Sequence, residues 1–187
     1  RRRALASLPN CTSCRLLASA DKVALAKRVL ARALDQSGDA AGRYALLRLA
    51  GQLAVDARDA ETAFQCVDQI AAAFEVEPFA MKTAILANWA KEARSTDARK
   101  WLVEHVLDVG DESLDAGNVD AARELGKLAS TKLAGLRDKE IVQRLKMFRQ
   151  RFNEVEKDAE ELQQAHSLLA QDASHAPSNL VVGRYLC

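Results

Sequence analysis

Four cysteines and three histidines are the side chains here whose types suit nucleophilic, redox or metal chemistry. Cys11-Thr-Ser-Cys14 has the spacing of a redox dithiol or of half a zinc site. A redox dithiol needs a βαβ setting that puts its first cysteine at a helix N-terminus, where the thiol pKa falls. A zinc site needs a second ligand pair, and neither Cys66, Cys187 nor the histidines supply one by spacing. Covalent haem attachment requires a histidine after the second cysteine, where this chain has Arg15. The pair therefore reads first as incidental thiols, next as a local disulfide, and last as a metal or redox site. Cys66 reads as a small near-core hydrophobe with no recognisable base beside it.

His105 lies on or beside the apolar face of one helix, and His166 falls in the apolar seam of another. Both are expected to be hydrogen-bonded and partly buried, with His166 able to set helix register instead. Asp108, Asp111, Glu112, Asp115, Asn118 and Asp120 invite a calcium reading. An EF-hand loop needs glycine at its sixth position and a carboxylate at its twelfth; the best frame has Ala116 and Ala122 there. These acids are better read as an exposed helix face and its turn. Neither a glycine-rich phosphate loop nor a Ser/His/Asp or His-Glu-x-x-His set is present. The expected inventory is no catalytic set, no cofactor and no metal.

The elements that must carry these residues are helical. Among 187 residues, alanine occurs 35 times, leucine 25 and proline three, with aromatics at 5%. Such a composition favours helices over sandwiches and barrels. The net charge of +1 excludes a general electrostatic nucleic-acid binder. No apolar run reaches the roughly 18 residues of a membrane span. The chain begins at Arg1 and stops within a helix-like pattern, so it reads as a piece of something longer.

Residues 1–20 are expected to be irregular. Helices follow over about 21–35, 39–56, 59–74, 78–94, 96–116 and 118–134, from apolar residues recurring every three or four positions. Asp21, Pro78, Thr96, Asn118 and Asp138 provide start signals. The fourth helix is expected to bury Met81, Ile85 and Trp89. A long helix over 138–172 carries Ile141, Leu145, Phe148, Phe152, Val155, Ala159, Leu162, His166 and Leu169 as a continuous seam. An eighth helix opens at 174–177. This gives three segments: 1–20 irregular, 21–135 a helical-repeat domain, and 136–187 a long helix with the start of a truncated hairpin.

Shifting the sequence by 59 positions lays the second and third helices on the fifth and sixth. Gly51 falls on Gly110, Asp56 on Asp115, Arg58-Asp59 on Gly117-Asn118, and Ala63 on Ala122. The pattern resembles a degenerate tetratricopeptide repeat: Gly51, Asp59 and Ala63 match that family's small and turn residues in one copy, and Gly110, Gly117 and Ala122 in the other. The family's usual period is about 34 residues, so a further helix pair intervenes here. The resemblance implies a right-handed αα-superhelix of hairpins, ending here in one long helix. Residues 22–76 are also similar to a helical segment recurring in large multidomain bacterial proteins of planctomycete type. The similar runs are Ala-Leu-Ala-Lys-Arg-Val-Leu, Ala-Gly-Arg-Tyr-Ala-Leu-Leu-Arg-Leu-Ala and Ala-Phe-Gln-Cys-Val-Asp-Gln-Ile-Ala-Ala-Ala-Phe-Glu-Val. This other resemblance implies a connecting or scaffolding role and transfers no active site.

The long helix is polarised. Residues 137–151 hold six cations against two acids, and 154–161 hold five acids against Lys157. Laid antiparallel, two such helices would oppose unlike halves, but a solvated face is the preferred reading. The function expected is a non-enzymatic scaffold or adaptor that docks a protein or peptide, a further copy of the chain included. The expected groove lies between the second, fourth and fifth helices and exposes Arg43, Arg48, Gln52, Asn88, Lys91 and Glu104. The alternatives are self-association through 138–172, or an accessory domain of an enzyme whose catalytic module lies elsewhere.

Overall fold

A computed structural model of the chain describes residues 19–36 and 38–186. They form eight helices: α1 (Ser19–Leu34), α2 (Ala40–Ala57), α3 (Ala60–Ala73), α4 (Pro78–Glu92), α5 (Thr96–Asp115), α6 (Val119–Leu133), α7 (Lys139–Gln171) and α8 (Ala176–Leu186). The described residues contain no strand, so the fold is all-α. Cys11, Cys14 and residues 1–18 of the segment expected to be irregular lie outside the described residues, and its last two residues, Ser19 and Ala20, open α1.

Helix starts are fixed by side chains that accept otherwise unpaired N–H groups. Asp39 accepts from Gly42, Asp59 from Thr62, Asn118 from Ala121, and Asp138 from both Glu140 and Ile141. Ser95, not Thr96, caps α5 by accepting from Ala98. Thr96 is already the first helical residue, so only the side chain before it reaches the open turn.

The α2–α3 and α5–α6 turns are built alike. Arg58 and Gly117 both adopt the left-handed conformation, at φ 60° and 69°. Asp59 N–H donates to the Ala54 carbonyl at 2.9 Å, and Asn118 N–H to the Ser113 carbonyl at 2.8 Å. Each turn thus closes one helix with a Schellman-type bond while its Asx residue opens the next. These are the positions that the 59-residue shift superposes, but one helix, α4, and not the expected helix pair, lies between the two hairpins along the chain.

The described chain divides into two compact units, with the boundary between Lys82 and Thr83 inside α4. The sequence reading instead runs one domain over 21–135. In the first unit, α1, α2 and α3 close on Leu30, Ala33, Leu47, Ala50, Cys66 and Ile70. A Cβ on Gly51 would stand 3.4 Å from the Cys66 Cβ, so the glycine permits close approach of α2 and α3. Tyr44 and Phe74 meet edge-to-face at 5.0 Å on the rim. The buried face of α4 opens with Lys82 and continues through Leu86, Trp89, Ala90 and Ala93. Met81 and Ile85 are only half-buried, one position off the expected stripe. Lys82 accounts for the offset: its Nζ lies 3.0 Å from Asp68 and within 6 Å of the Phe64 and Phe79 rings. A buried ammonium with a carboxylate and two ring faces has the partners that burial of charge demands.

In the second unit, α5, α6 and α7 pack mutually and α8 packs on α7. Leu102, Val103, Val106, Leu107, Val109 and Leu125 are buried there. Phe148 of α7 is wedged between two glycines. A Cβ on Gly110 of α5 would come 2.8 Å from its Cε2, and a Cβ on Gly126 of α6 2.9 Å from its Cε1. In α5 the small residue therefore makes room for a ring from the third helix, not for the paired hairpin partner.

The seam of α7 turns along its length. Ile141, Leu145 and Phe148 are buried, but farther on Ala165 is buried and His166 is exposed. At about 100° per residue, the centre of the buried face moves roughly a quarter turn between Phe148 and Leu169. A straight helix drifts about 20° per heptad against a strict heptad, and α8 covers the face this drift presents. The expected partly buried, register-setting His166 is thereby corrected to a solvent position.

Candidate docking interface

Charged side chains of α7 split between its two flanks. On the α5 flank, Arg144 lies 2.9 Å from Asp108 and 3.9 Å from Asp111, and Arg151 lies 3.5 Å from Asp111 and also contacts Asp115. Three acids of the run considered for calcium, Asp108, Asp111 and Asp115, are thus counter-charges of α7. These cations do not meet only water, as the solvated-face reading expects. Spacing along one helix cannot reveal a partner brought in by the fold. Burial raises the Asp111 carboxyl above its ordinary range, a shift opposed by Arg151 and Arg144. Contact with Asp115 holds the Arg151 guanidinium more firmly protonated.

Past this ladder, Arg123 of α6 reaches Glu156 at 2.9 Å and Asp120 at 2.6 Å, and lies over the Phe152 ring. At the start of α7, Lys100 meets Asp138 at 2.8 Å. That hydrogen bond raises the Lys100 ammonium and, with the backbone donors of the cap, lowers the Asp138 carboxyl. Arg99 closes the end of α6 by donating to the Lys132 carbonyl at 3.0 and 2.6 Å and to that of Ala134. A guanidinium on final-turn carbonyls satisfies acceptors that lack helical donors.

Three surface grooves follow α7. One of 540 Å³ is lined by Asp120, Arg123, Glu156 and Glu160 with the α5–α6 turn, and one of 650 Å³ by Asp111, Arg144, Arg151 and Glu154 around Met147 and Phe148. Both carry charges of both signs. The third, 330 Å³ between α6 and α7, is lined by Ser130, Leu133, Ala134, Val142, Leu145, Lys146 and Arg149. Its charged lining is cationic only. Val142 is 48% exposed at its edge. Arg149 donates to Ser130 Oγ at 2.7 Å, and Ser130 in turn donates to the Gly126 carbonyl.

The six residues expected to line a groove between the second, fourth and fifth helices fall in both units. Arg43, Arg48 and Gln52 belong to the first unit; Asn88, Lys91 and Glu104 belong to the second. Arg43 is half-buried and donates to Gln69 at 3.3 Å, and exposed Gln52 donates to Asp56 of its own helix at 2.8 Å. Arg43 and Arg48, five residues apart, point about 140° from each other around α2. Asn88 and Lys91 are exposed on α4, and Arg48 and Glu104 are half-buried. His105 is half-buried, stacks on Trp101 at 4.2 Å, and bonds through Nδ1 to the Trp101 carbonyl at 2.8 Å. Cys66 is a free, buried thiol, pushed up to about 11 by burial and by Asp59. Sequence periodicity does not single out the α6–α7 groove. Its only signal is Val142, an apolar residue standing outside the seam.

No helix among the described residues is long and apolar enough to cross a membrane. No protein-family model, curated protein or solved structure matches the chain.

Proposed function

We propose that this chain is a non-enzymatic helical scaffold that docks a protein segment, as part of a larger bacterial protein. Its hairpins would belong to a right-handed, tetratricopeptide-like αα-superhelix. The like construction of the α2–α3 and α5–α6 turns supports a repeated hairpin unit. One observation carries the docking assignment: an open groove between α6 and α7 lined by Leu133, Ala134 and Leu145, with Val142 standing exposed beside them. An apolar strip between two helices is the surface into which an amphipathic helix lays its apolar face. Arg144 and Arg151, in the basic half of α7, have carboxylate partners in their own unit, which weakens the alternative of antiparallel self-association.

The test is an anisotropy titration of the chain with a fluorescein-labelled 18-residue helical peptide, leucine on one face and glutamine elsewhere. Saturable binding is expected, weakened at least tenfold by Val142→Asp, which puts a charge where an apolar contact is needed. Absence of binding, or binding indifferent to Val142→Asp, refutes the reading.

A further inference from the structure

We infer that the α6–α7 groove selects an acidic amphipathic helix: apolar residues at three- and four-residue spacing, with carboxylates along the flank that meets α7. This rests on the docking reading and adds the sign of the partner's charge. The cations of α7 are provided for unequally. Those turned toward α5, Arg144 and Arg151, each have carboxylates in their own unit. Those bordering the groove do not. Among the described residues Lys146 has no carboxylate partner, and Arg149 contacts only the neutral Ser130 hydroxyl. The grooves on either side carry charges of both signs, whereas the charged lining of this one is cationic alone.

The Arg149 contact also fixes geometry. Its bond to Ser130 ties the guanidinium of α7 to α6, at the groove, with other N–H donors of the fork still available. A guanidinium so held loses less freedom on meeting a carboxylate, and it suits the planar two-oxygen acceptor. Lys146 lies three residues earlier on the same flank of α7, so carboxylates one turn apart on a partner helix would reach both cations. Apolar contact with Leu133, Val142 and Leu145 distinguishes such a helix from a polyanion. The groove, at 330 Å³, lies at the small end of ligand-site size, so a transient complex is expected.

The experiment compares three fluorescein-labelled 18-residue peptides with one leucine face, flanked by glutamate, glutamine or lysine. The whole chain is titrated at low and high salt. The glutamate peptide should bind about five- to tenfold tighter than the glutamine peptide, the gain fading as salt screens it. The lysine peptide should bind more weakly than either. The double variant Lys146→Glu/Arg149→Glu should reverse that order, and circular dichroism checks that it folds. If glutamate and glutamine peptides bind alike, docking stands and the charge inference falls; if neither binds, both fall. A labelled oligouridylate that binds through Lys146 and Arg149 without needing Val142 would make the occupant a nucleic acid and overturn the proposal. A dimer in light scattering that the double variant dissolves would assign the groove to another copy of the chain, with the same consequence.

Discussion

Gly110→Ala puts two well-calibrated effects in opposition. Replacing a mid-helix glycine by alanine normally stabilises by about 0.8–1 kcal/mol. Here the added Cβ would stand 2.8 Å from Cε2 and 3.1 Å from Cζ of Phe148. The ring cannot simply retreat, because its Cε1 edge already faces Gly126 across a gap that a Cβ would reduce to 2.9 Å. Overpacking of this kind costs roughly 1–3 kcal/mol, so the clash cancels or exceeds the propensity gain and the variant is neutral to about 2 kcal/mol less stable. In a Phe148→Leu background the obstructing ring edge is gone, and the same substitution should stabilise by up to about 1 kcal/mol. The cycle's coupling energy is then about 1–3 kcal/mol. Phe148→Ala alone should cost about 3–5 kcal/mol, since the side chain is only 4% exposed. Urea unfolding read by tryptophan fluorescence follows the second unit alone, because both tryptophans, Trp89 and Trp101, lie in it. If Gly110→Ala raises the midpoint equally in both backgrounds, the ring does not occupy the glycine slot and the account of how α7 docks is wrong.

Three further outcomes follow from named contacts. Lys82→Met should be tolerated within about 1 kcal/mol, because it fills the same space without a charge; Asp68→Ala should be the worse change, since it withdraws a carboxylate from a buried ammonium, and urea midpoints read by circular dichroism, which follows the helices of both units, rank the two variants. Asp138 has a lowered folded pKa, so its stabilising contribution is complete above the ordinary carboxylate value of about 3.9 and is lost as pH falls through the lowered one. Asp111 is raised and has the opposite sign, with protonation favouring the folded state; Asp138→Asn, which still caps, should therefore flatten the acid limb of a Tm-against-pH curve, and Asp111→Asn should not. Cys66, with its thiol near 11 and almost no exposure, should alkylate at pH 8 at least about a hundredfold more slowly than in urea, read by peptide mass mapping.

Local signals carry the fold a long way. Apolar periodicity with Asn118 and Asp138 as caps places most helix ends within two residues, because caps and three-to-four spacing act inside one helix. What stays hidden depends on which helix comes to lie beside which. Asp108, Asp111 and Asp115 read as a solvated run until α7 brings Arg144 and Arg151 to them. Nothing local to Lys82 signals its burial, because Asp68 and Phe64 reach it only through the packing of α3 on α4. Gly110 is a small residue by sequence, but the reason for its size sits 38 positions later, at Phe148. The α6–α7 groove is illegible for the same cause. It takes its lining from two helices, and its sign from carboxylates that pair with other cations.

That division of cations bears on how α7 is used. A helix with a basic N-terminal half and an acidic C-terminal half has the charge pattern for pairing with itself, and the attraction would scale with the unpaired charge each half retains. In the folded unit Arg144, Arg151 and Glu156 are already partnered, so another copy would have to compete with contacts whose geometry is fixed by packing. Two of the cations left without a carboxylate, Lys146 and Arg149, sit beside Val142. A partner that uses them must approach from the α6 side and bring apolar surface with it. Charge thus acts in two ways along one helix: on one flank it fastens α7 to α5, and on the other it remains open beside an apolar strip. The open flank suits recognition of a separate segment better than symmetric pairing.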